Sequence, residues 1–150
     1  MLVNITPTLI SSTYAFSVLR PGDSIGVKGG ASSGLLEYYH LGIYLGNEEV
    51  IDYTNDSKVR RIKLSVFTEN NTRQLCRIHY LKAPPANNAD AIIENAALHF
   101  KNQDFGTYDL ITNNCEHFVT FCTFGKRFSF QVAKTVQSSG GSSGGSCVSM

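Results

Sequence analysis

Short runs of alternating hydrophobic and polar residues fill the first half of the chain, and this period of two is typical of β-strands. The Gly46-Asn47 dipeptide separates two of these runs and predicts the turn of a β-hairpin. The Pro84-Pro85 pair ends the pattern, because proline cannot donate to the hydrogen-bond ladder of a sheet. The predicted strands are residues 24–28, 39–45, 50–54, 59–67 and 75–81.

Helical spacing replaces the alternation in the second half of the chain. Residues 89–101 repeat apolar positions every three or four residues, which predicts an amphipathic helix. A second helix is expected from about Asn114 to Phe124, because Gly125 is a suitable residue to end it. Antiparallel strands followed by helices indicate an α+β fold, with a sheet of about four to six strands packed on two or three helices.

The two ends of the chain differ in composition from its middle. Residues 1–17 are mostly apolar without a clear period, and we expect an irregular lead-in there. Residues 136–150 form a tail in which positions 138–146 are all serine or glycine, a composition typical of a flexible tether. A single folded domain is therefore expected over residues 18–135, and 42% apolar content in 150 residues is enough for one core.

Charge and hydropathy narrow the choice of compartment and partner. Thirteen Lys and Arg against twelve Asp and Glu give a net charge of +1, which does not favour a nucleic acid as partner. A local cluster of basic residues is best explained as the solvated face of a strand, with contact to lipid phosphates as the alternative. We expect a cytoplasmic location and reduced thiols, because no signal peptide or membrane-spanning run is recognisable. We also expect the protein to be a monomer. The basic cluster is Lys58, Arg60, Arg61 and Lys63.

Cys115 lies where the second helix is predicted to begin. Asn113 can act as the N-cap with Glu116 three residues later, an arrangement that resembles a capping box and makes Cys115 the second helical residue. The free N–H groups and the positive end of the helix dipole favour a thiolate, the form that attacks acyl carbons. The same N–H groups are natural donors to an oxyanion. Cys115 is therefore the candidate nucleophile.

The other cysteines have a simpler interpretation. Cys76 lies in a strand and Cys122 lies among helical phenylalanines, so both are expected to be buried, unreactive thiols. None of the cysteines has the spacing of a zinc site, and no metal or organic cofactor is expected.

His40, at the start of a predicted strand, is the candidate base. His117 is two residues from Cys115 on the helix and points to a different face, so we expect it to bond locally. Asp52 follows His40 by twelve residues on the paired strand and is expected to orient its imidazole. A solvent-facing Asp52 is the alternative, less favoured because aspartate is a poor strand residue. Tyr39 is a candidate oxyanion donor, although a core or surface tyrosine fits equally well.

Three sequence strings together resemble the lecithin:retinol acyltransferase-like family, which includes phospholipase/acyltransferases. They are LRPGD at residues 19–23, HLGIYLG at residues 40–46 and NCEHFV at residues 114–119. The resemblance extends over about residues 18–130. It implies a circularly permuted papain-like (NlpC-type) fold, in which the strand that carries the histidine precedes the helix that carries the cysteine.

The chemistry implied by this resemblance is acyl transfer through a thioester. Cys115 would take an acyl chain from a glycerophospholipid and pass it to water, an amine or an alcohol, with His40 and Asp52 completing the site. No cofactor is implied, although calcium stimulates some relatives. The family typically has a second histidine where this chain has Asp52. An aspartate should still orient His40, but it also fits an altered substrate or a loss of activity.

Three functions therefore remain open. The first is a phospholipid acyl hydrolase or acyltransferase at a membrane surface, the second is an amidase or peptidase on the same fold, and the third is a non-catalytic interaction module. The last four residues, Cys147-Val148-Ser149-Met150, fit a C-a-a-X prenylation motif, with a chance match in the tail as the alternative. A prenyl group on Cys147 would attach the protein to the cytosolic face of a membrane.

Overall fold

A computed structural model describes residues 18–28, 38–80 and 85–133, together with the backbone of residues 5–10. Within these ranges the strands form an antiparallel six-stranded sheet in the order β1-β6-β2-β3-β4-β5. The strands are β1 Ile5–Ile10, β2 Ser24–Lys28, β3 Tyr39–Gly46, β4 Glu49–Tyr53, β5 Val59–Lys63 and β6 Leu75–Tyr80.

In the described part of the chain three helices follow, α1 Leu64–Phe67, α2 Ala89–Asn102 and α3 Cys115–Phe124, and residues 130–133 are also helical. The predicted α+β class is therefore confirmed. The predicted strand over residues 59–67 is wrong in its second half, because β5 ends at Lys63 and the chain turns at once into α1. None of these helices is long and apolar enough to cross a membrane.

Residues 5–10 correct the expectation of an irregular lead-in over residues 1–17. They form β1, which pairs with β6 from Ile5 opposite Tyr80 to Ile10 opposite Leu75. β1 lies at the edge of the sheet, where a proline such as Pro7 is tolerated because an edge strand needs fewer hydrogen bonds. The tail predicted at residues 136–150, with Cys147, lies outside the described residues.

The sheet is packed on both faces. On one face, side chains of β3 and β4 meet α2 and α3, as Leu41, Tyr53, Ala96 and Phe118 illustrate. On the other face, a smaller cluster contains Ile25, Val27, Tyr44, Val50 and Phe67. The strands that carry the candidate base and its partner are therefore held between two apolar layers, which restrict their movement.

Gly42 brings β3, β4 and α1 into close contact. A Cβ atom there would lie 2.8 Å from Val50 Cγ1, 3.0 Å from Phe67 Cε1 and 3.1 Å from the Ile51 carbonyl oxygen. Only glycine allows this approach without displacing its neighbours. Gly42 is also directly opposite Asp52 in the β3–β4 hairpin, so Asp52 is a diagonal neighbour of the histidine two residues before Gly42.

Candidate active site

The N-terminus of α3 is built one residue later than the sequence predicted. Asn114 is the N-cap, and its side-chain oxygen accepts hydrogen bonds from the N–H groups of Glu116 (2.9 Å) and His117 (3.1 Å). His117 Nδ1 accepts from the Asn114 N–H at 3.0 Å, so His117 rather than Glu116 completes the capping box. Cys115 is consequently the first helical residue, and the local role expected for His117 is confirmed.

Asn113, the predicted cap, instead braces the loop before the helix. Its side-chain amide donates to the carbonyl oxygens of Phe105 (2.8 Å) and Thr107 (3.1 Å), while its backbone pairs with that of Asp109. Both Asn113 and Asn114 are buried, so each needs hydrogen-bond partners for its amide. The sequence pattern does not distinguish the two asparagines, because their partners come from the tertiary fold.

The sulfur of Cys115 is fully buried beside the start of β3. It lies 4.0 Å from the Tyr38 hydroxyl oxygen and 3.9 Å from the Tyr39 carbonyl oxygen. The side chain of Tyr39 itself packs into the core with α3, so the suggestion that Tyr39 donates to an oxyanion is corrected. Tyr38, the residue before it, has its hydroxyl at the sulfur instead.

Tyr38 and Tyr108 form a pair of hydroxyl groups next to Cys115. Their hydroxyl groups interact with each other and with the sulfur. Burial, together with the charge of Cys115, raises the pKa of Tyr38 far above its usual range and that of Tyr108 to about 12. Both hydroxyls therefore keep their protons at neutral pH and can donate hydrogen bonds.

His40 and Asp52 form a close pair, as the hairpin register suggested. His40 Nε2 lies 2.7 Å from Asp52 Oδ2, and the His40 ring also interacts with the Cys115 side chain. Burial lowers the pKa of His40, but the bonds to Asp52 and Cys115 outweigh burial and raise this pKa to about 10. Burial opposes the charge of Asp52, yet His40 and Arg60 lower the pKa of Asp52 below its usual value. The structure thus brings together the three predicted site residues.

Arg60 was assigned to a solvated strand face from the sequence, and this assignment is corrected. Its guanidinium donates from Nε to Asp52 Oδ1 at 2.9 Å and from Nη2 to Asp52 Oδ2 at 2.6 Å. Arg61, the next residue, does pair on an exposed face, with Glu49. The signal that could have found Arg60 is its register, because the β4–β5 hairpin places Arg60 directly opposite Asp52.

Glu116 is a fully buried carboxylate that ties α3 to the following segment. It accepts from Ser129 Oγ at 2.8 Å, from the Phe130 N–H at 3.0 Å and from the Gln131 N–H at 3.1 Å. The Gln131 side chain in turn bonds to both the N–H and the carbonyl oxygen of Tyr39. This chain of bonds connects the helix of the nucleophile with the strand of the base, and sequence analysis did not predict it.

The remaining cysteines of the described ranges match their predicted role. Cys76 and Cys122 are buried, and burial raises the pKa of each thiol to about 12. Neither is therefore a nucleophile at neutral pH. Within the part of the chain that the structure describes, no group of three or more His, Cys, Asp or Glu residues is arranged to hold a metal ion.

Comparison with known proteins shows to which family this chain is similar. The family model described as "Lecithin retinol acyltransferase" matches residues 17–128, a span that contains His40, Asp52 and Cys115. A curated relative is the lecithin retinol acyltransferase of Mus musculus, which is 28% identical to this chain over 164 aligned residues. The alignment covers 84% of this chain and 71% of the mouse protein.

Proposed function

Because the chain belongs to the lecithin retinol acyltransferase family, we propose that it is a thiol-dependent acyltransferase or acyl hydrolase. Its substrate is a glycerophospholipid, and its intermediate is a thioester on Cys115. The observation that carries this proposal is that three groups lie together: a cysteine at the first position of α3, the His40 ring that interacts with it, and the buried Asp52 carboxylate bonded to that ring. This is the nucleophile, base and orienting acid of a cysteine hydrolase.

Acylation of Cys115 is the first half of the reaction. His40 takes the thiol proton, and the sulfur attacks the ester carbonyl carbon to form a C–S bond. The Asn114 side chain occupies the N–H groups of Glu116 and His117, so the N–H of Cys115 and the hydroxyls of Tyr38 and Tyr108 are the donors for the oxyanion. The ester C–O bond then breaks, and His40 returns the proton to the lysophospholipid oxygen.

Deacylation is the second half of the reaction. Water, an amine or an alcohol attacks the thioester carbon while His40 accepts its proton, and the C–S bond breaks to release the sulfur. Since His40 Nε2 is bound to Asp52, Nδ1 is the nitrogen that exchanges protons. His40 must therefore be neutral at the start of this half, even though its bond to the Asp52 carboxylate favours the protonated ring.

The order of the elements supports a circularly permuted papain-like fold. His40 lies on β3, Cys115 begins α3, and α3 packs against β3 and β4. In this arrangement the strand that carries the base precedes the helix that carries the nucleophile. The packing of α3 on the sheet keeps the sulfur next to the ring of His40, as a cysteine hydrolase requires.

The proposed lipid substrate requires a membrane contact, and we assign that contact to Leu110 and Ile111. These side chains are 61% and 52% exposed, in the turn shortly before Cys115. The Asp109 carboxylate accepts from the N–H groups of Ile111 (2.9 Å) and Thr112 (2.8 Å), which holds the turn in shape. Insertion of these two exposed apolar side chains into a bilayer interface would keep the site at the lipid surface.

The Leu110→Asp/Ile111→Asp double variant is expected to lower turnover of vesicle phospholipid by at least about tenfold, since burial of each side chain contributes about 1.5–3 kcal/mol. Turnover of a water-soluble short-chain ester should be unchanged. The control is Leu98→Asp, a similarly exposed position on α2. Equal losses on vesicles and on the soluble ester, or an equal loss in Leu98→Asp, would contradict this assignment.

Intact-mass spectrometry tests the proposed function directly. Incubation with phosphatidylcholine vesicles should add the mass of one acyl chain to the protein, and hydroxylamine should remove it as it removes thioesters. Cys115→Ala should acquire no adduct, whereas Cys122→Ala, which removes a buried thiol of the same helix, should still be acylated. If no phospholipid acylates the protein while Cys115 remains open to alkylation, the chain is a non-catalytic module or an amidase, and cleavage of peptide amides separates these two.

A further inference from the structure

The Asp52 carboxylate is buried, and both of its oxygens are occupied. Oδ1 accepts from Arg60 Nε, while Oδ2 accepts from both Arg60 Nη2 and His40 Nε2. The Asp52 side chain has no exposed surface, whereas that of Arg60 is 40% exposed. Arg60 therefore bridges solvent and the buried end of the site, and the carboxylate cannot rotate away from His40 without breaking two bonds to the guanidinium.

The register of the β4–β5 pair places Arg60, and not Arg61, next to the Asp52 carboxylate. In the β4–β5 pairing Arg60 is opposite Asp52, and Arg61 is opposite Ile51. Since successive strand residues point to opposite faces, Arg61 points away from the site and pairs with Glu49. The chain thus supplies two adjacent arginines, each paired with a carboxylate, of which one contacts the site.

We propose that Arg60 is a positioning residue for the acyl transfer reaction: it fixes the Asp52 carboxylate and shares its negative charge, so that His40 is held in place and can still release its proton. This inference rests on the proposed function. It concerns Asp52 and explains how an aspartate can be the partner of the His40 ring. A buried carboxylate with no cation beside it would hold the protonated ring too firmly for the ring to release its proton.

The positive charge of Arg60 affects deacylation, the second half of the reaction, through the proton affinity of His40. In the acylated protein the sulfur of Cys115 belongs to a neutral thioester, so the Asp52 carboxylate is the anion that keeps the ring protonated. The Arg60 guanidinium opposes this effect, because a positive charge disfavours a second one nearby. The negative charge of Asp56 also interacts with the Arg60 guanidinium and stabilises its positive charge. Phe67, whose ring packs beside His40, carries no charge.

Titration of His40 by NMR in a Cys115→Ala background tests the inference without any activity. Arg60→Gln keeps a donor for Asp52 but removes the positive charge, so the pKa of His40 is expected to rise by about one unit or more. Arg61→Gln is the matched control and should leave His40 unchanged. An identical titration of His40 in Arg60→Gln and in the parent would overturn the proposal.

The pH dependence of deacylation provides the second readout. In Arg60→Gln the pH at which deacylation is half-maximal should move upward by the same amount, with kcat lowered below that pH and KM unchanged. Arg60→Lys retains the charge but lacks the planar fork, so it should keep the wild-type midpoint with a lower kcat. If Arg60→Gln does not fold, Arg60→Lys decides the matter, since wild-type kcat in that variant would refute a positioning role.

These measurements separate the two proposals. A wild-type protein that forms no acyl adduct counts against the acyltransferase function, whereas the His40 titration still decides whether Arg60 controls the proton affinity of the ring. If acyl transfer is observed and Arg60→Gln matches Arg61→Gln in titration and pH profile, the function stands and the role of Arg60 is rejected.

Discussion

Replacement of His40 by alanine is expected to lower the rate of Cys115 acylation by about 10³-fold, within the range that a positioned acid–base group contributes. The variant loses the group that accepts the thiol proton and later protonates the leaving oxygen. It should fold, because the Asp52 carboxylate keeps both bonds to Arg60 when the ring is removed. The loss of rate should therefore appear without a comparable loss of stability.

The measurement is the rate of acyl-adduct formation by intact mass, with the thermal unfolding midpoint recorded in parallel. His99→Ala is a matched control, since His99 also pairs with a carboxylate, Asp104, at 2.6 Å but packs against phenylalanine rings of the core. It should acylate at the wild-type rate once folded. Acylation of His40→Ala within tenfold of wild type would show that another group activates the sulfur.

Local sequence signals were sufficient for the hairpin that holds the base. Alternation on both sides of Gly46-Asn47 predicted β3 and β4, and their pairing brought Asp52 to His40 because the turn sets the register. The turn residues Asn47 and Glu48 both have positive φ, the backbone shape favoured between paired strands. Two residues twelve apart could thus be placed together without knowledge of the rest of the fold.

Features that depend on tertiary contacts could not be predicted in this way. The choice between Asn113 and Asn114 as cap depends on the loop that satisfies the other amide. The role of Arg60 required the register of a second hairpin, and a charged residue in a strand usually faces water. Similarly, the edge strand β1 has no strong pattern, since Pro7 interrupts a segment of six residues.

Loss of the Glu116 carboxylate is expected to lower the free energy of unfolding substantially. Glu116→Ala removes the acceptor of two backbone N–H groups and the Ser129 hydroxyl, all inside the fold. Because each unpaired buried donor costs about 1–3 kcal/mol, the free energy of unfolding should fall by about 3–5 kcal/mol. Denaturant unfolding measures this change, and Glu94→Gln on the exposed face of α2 should change stability by less than about 0.5 kcal/mol.

Glu116→Gln separates the charge of this side chain from its shape. Burial raises the pKa of Glu116 above its usual value, although the donors that surround the carboxylate oppose this rise. A carboxyl group whose pKa is raised on folding binds its proton more tightly in the folded state, so its contribution is full below the unfolded pKa of about 4.5 and is lost as the pH rises through the folded pKa. The glutamine variant does not titrate.

The stability of the wild type relative to Glu116→Gln should therefore decrease as the pH rises from about 4.5 toward neutrality. Urea unfolding of both proteins at several pH values measures this difference, in which the contributions of Asp52 and His40 cancel because both variants retain them. A difference that is constant over this range would mean that Glu116 keeps its charge throughout. In that case the hydrogen bonds from Ser129, Phe130 and Gln131 fully compensate the burial of the carboxylate. The ionised side chain then holds residues 129–131 to α3 over this whole pH range.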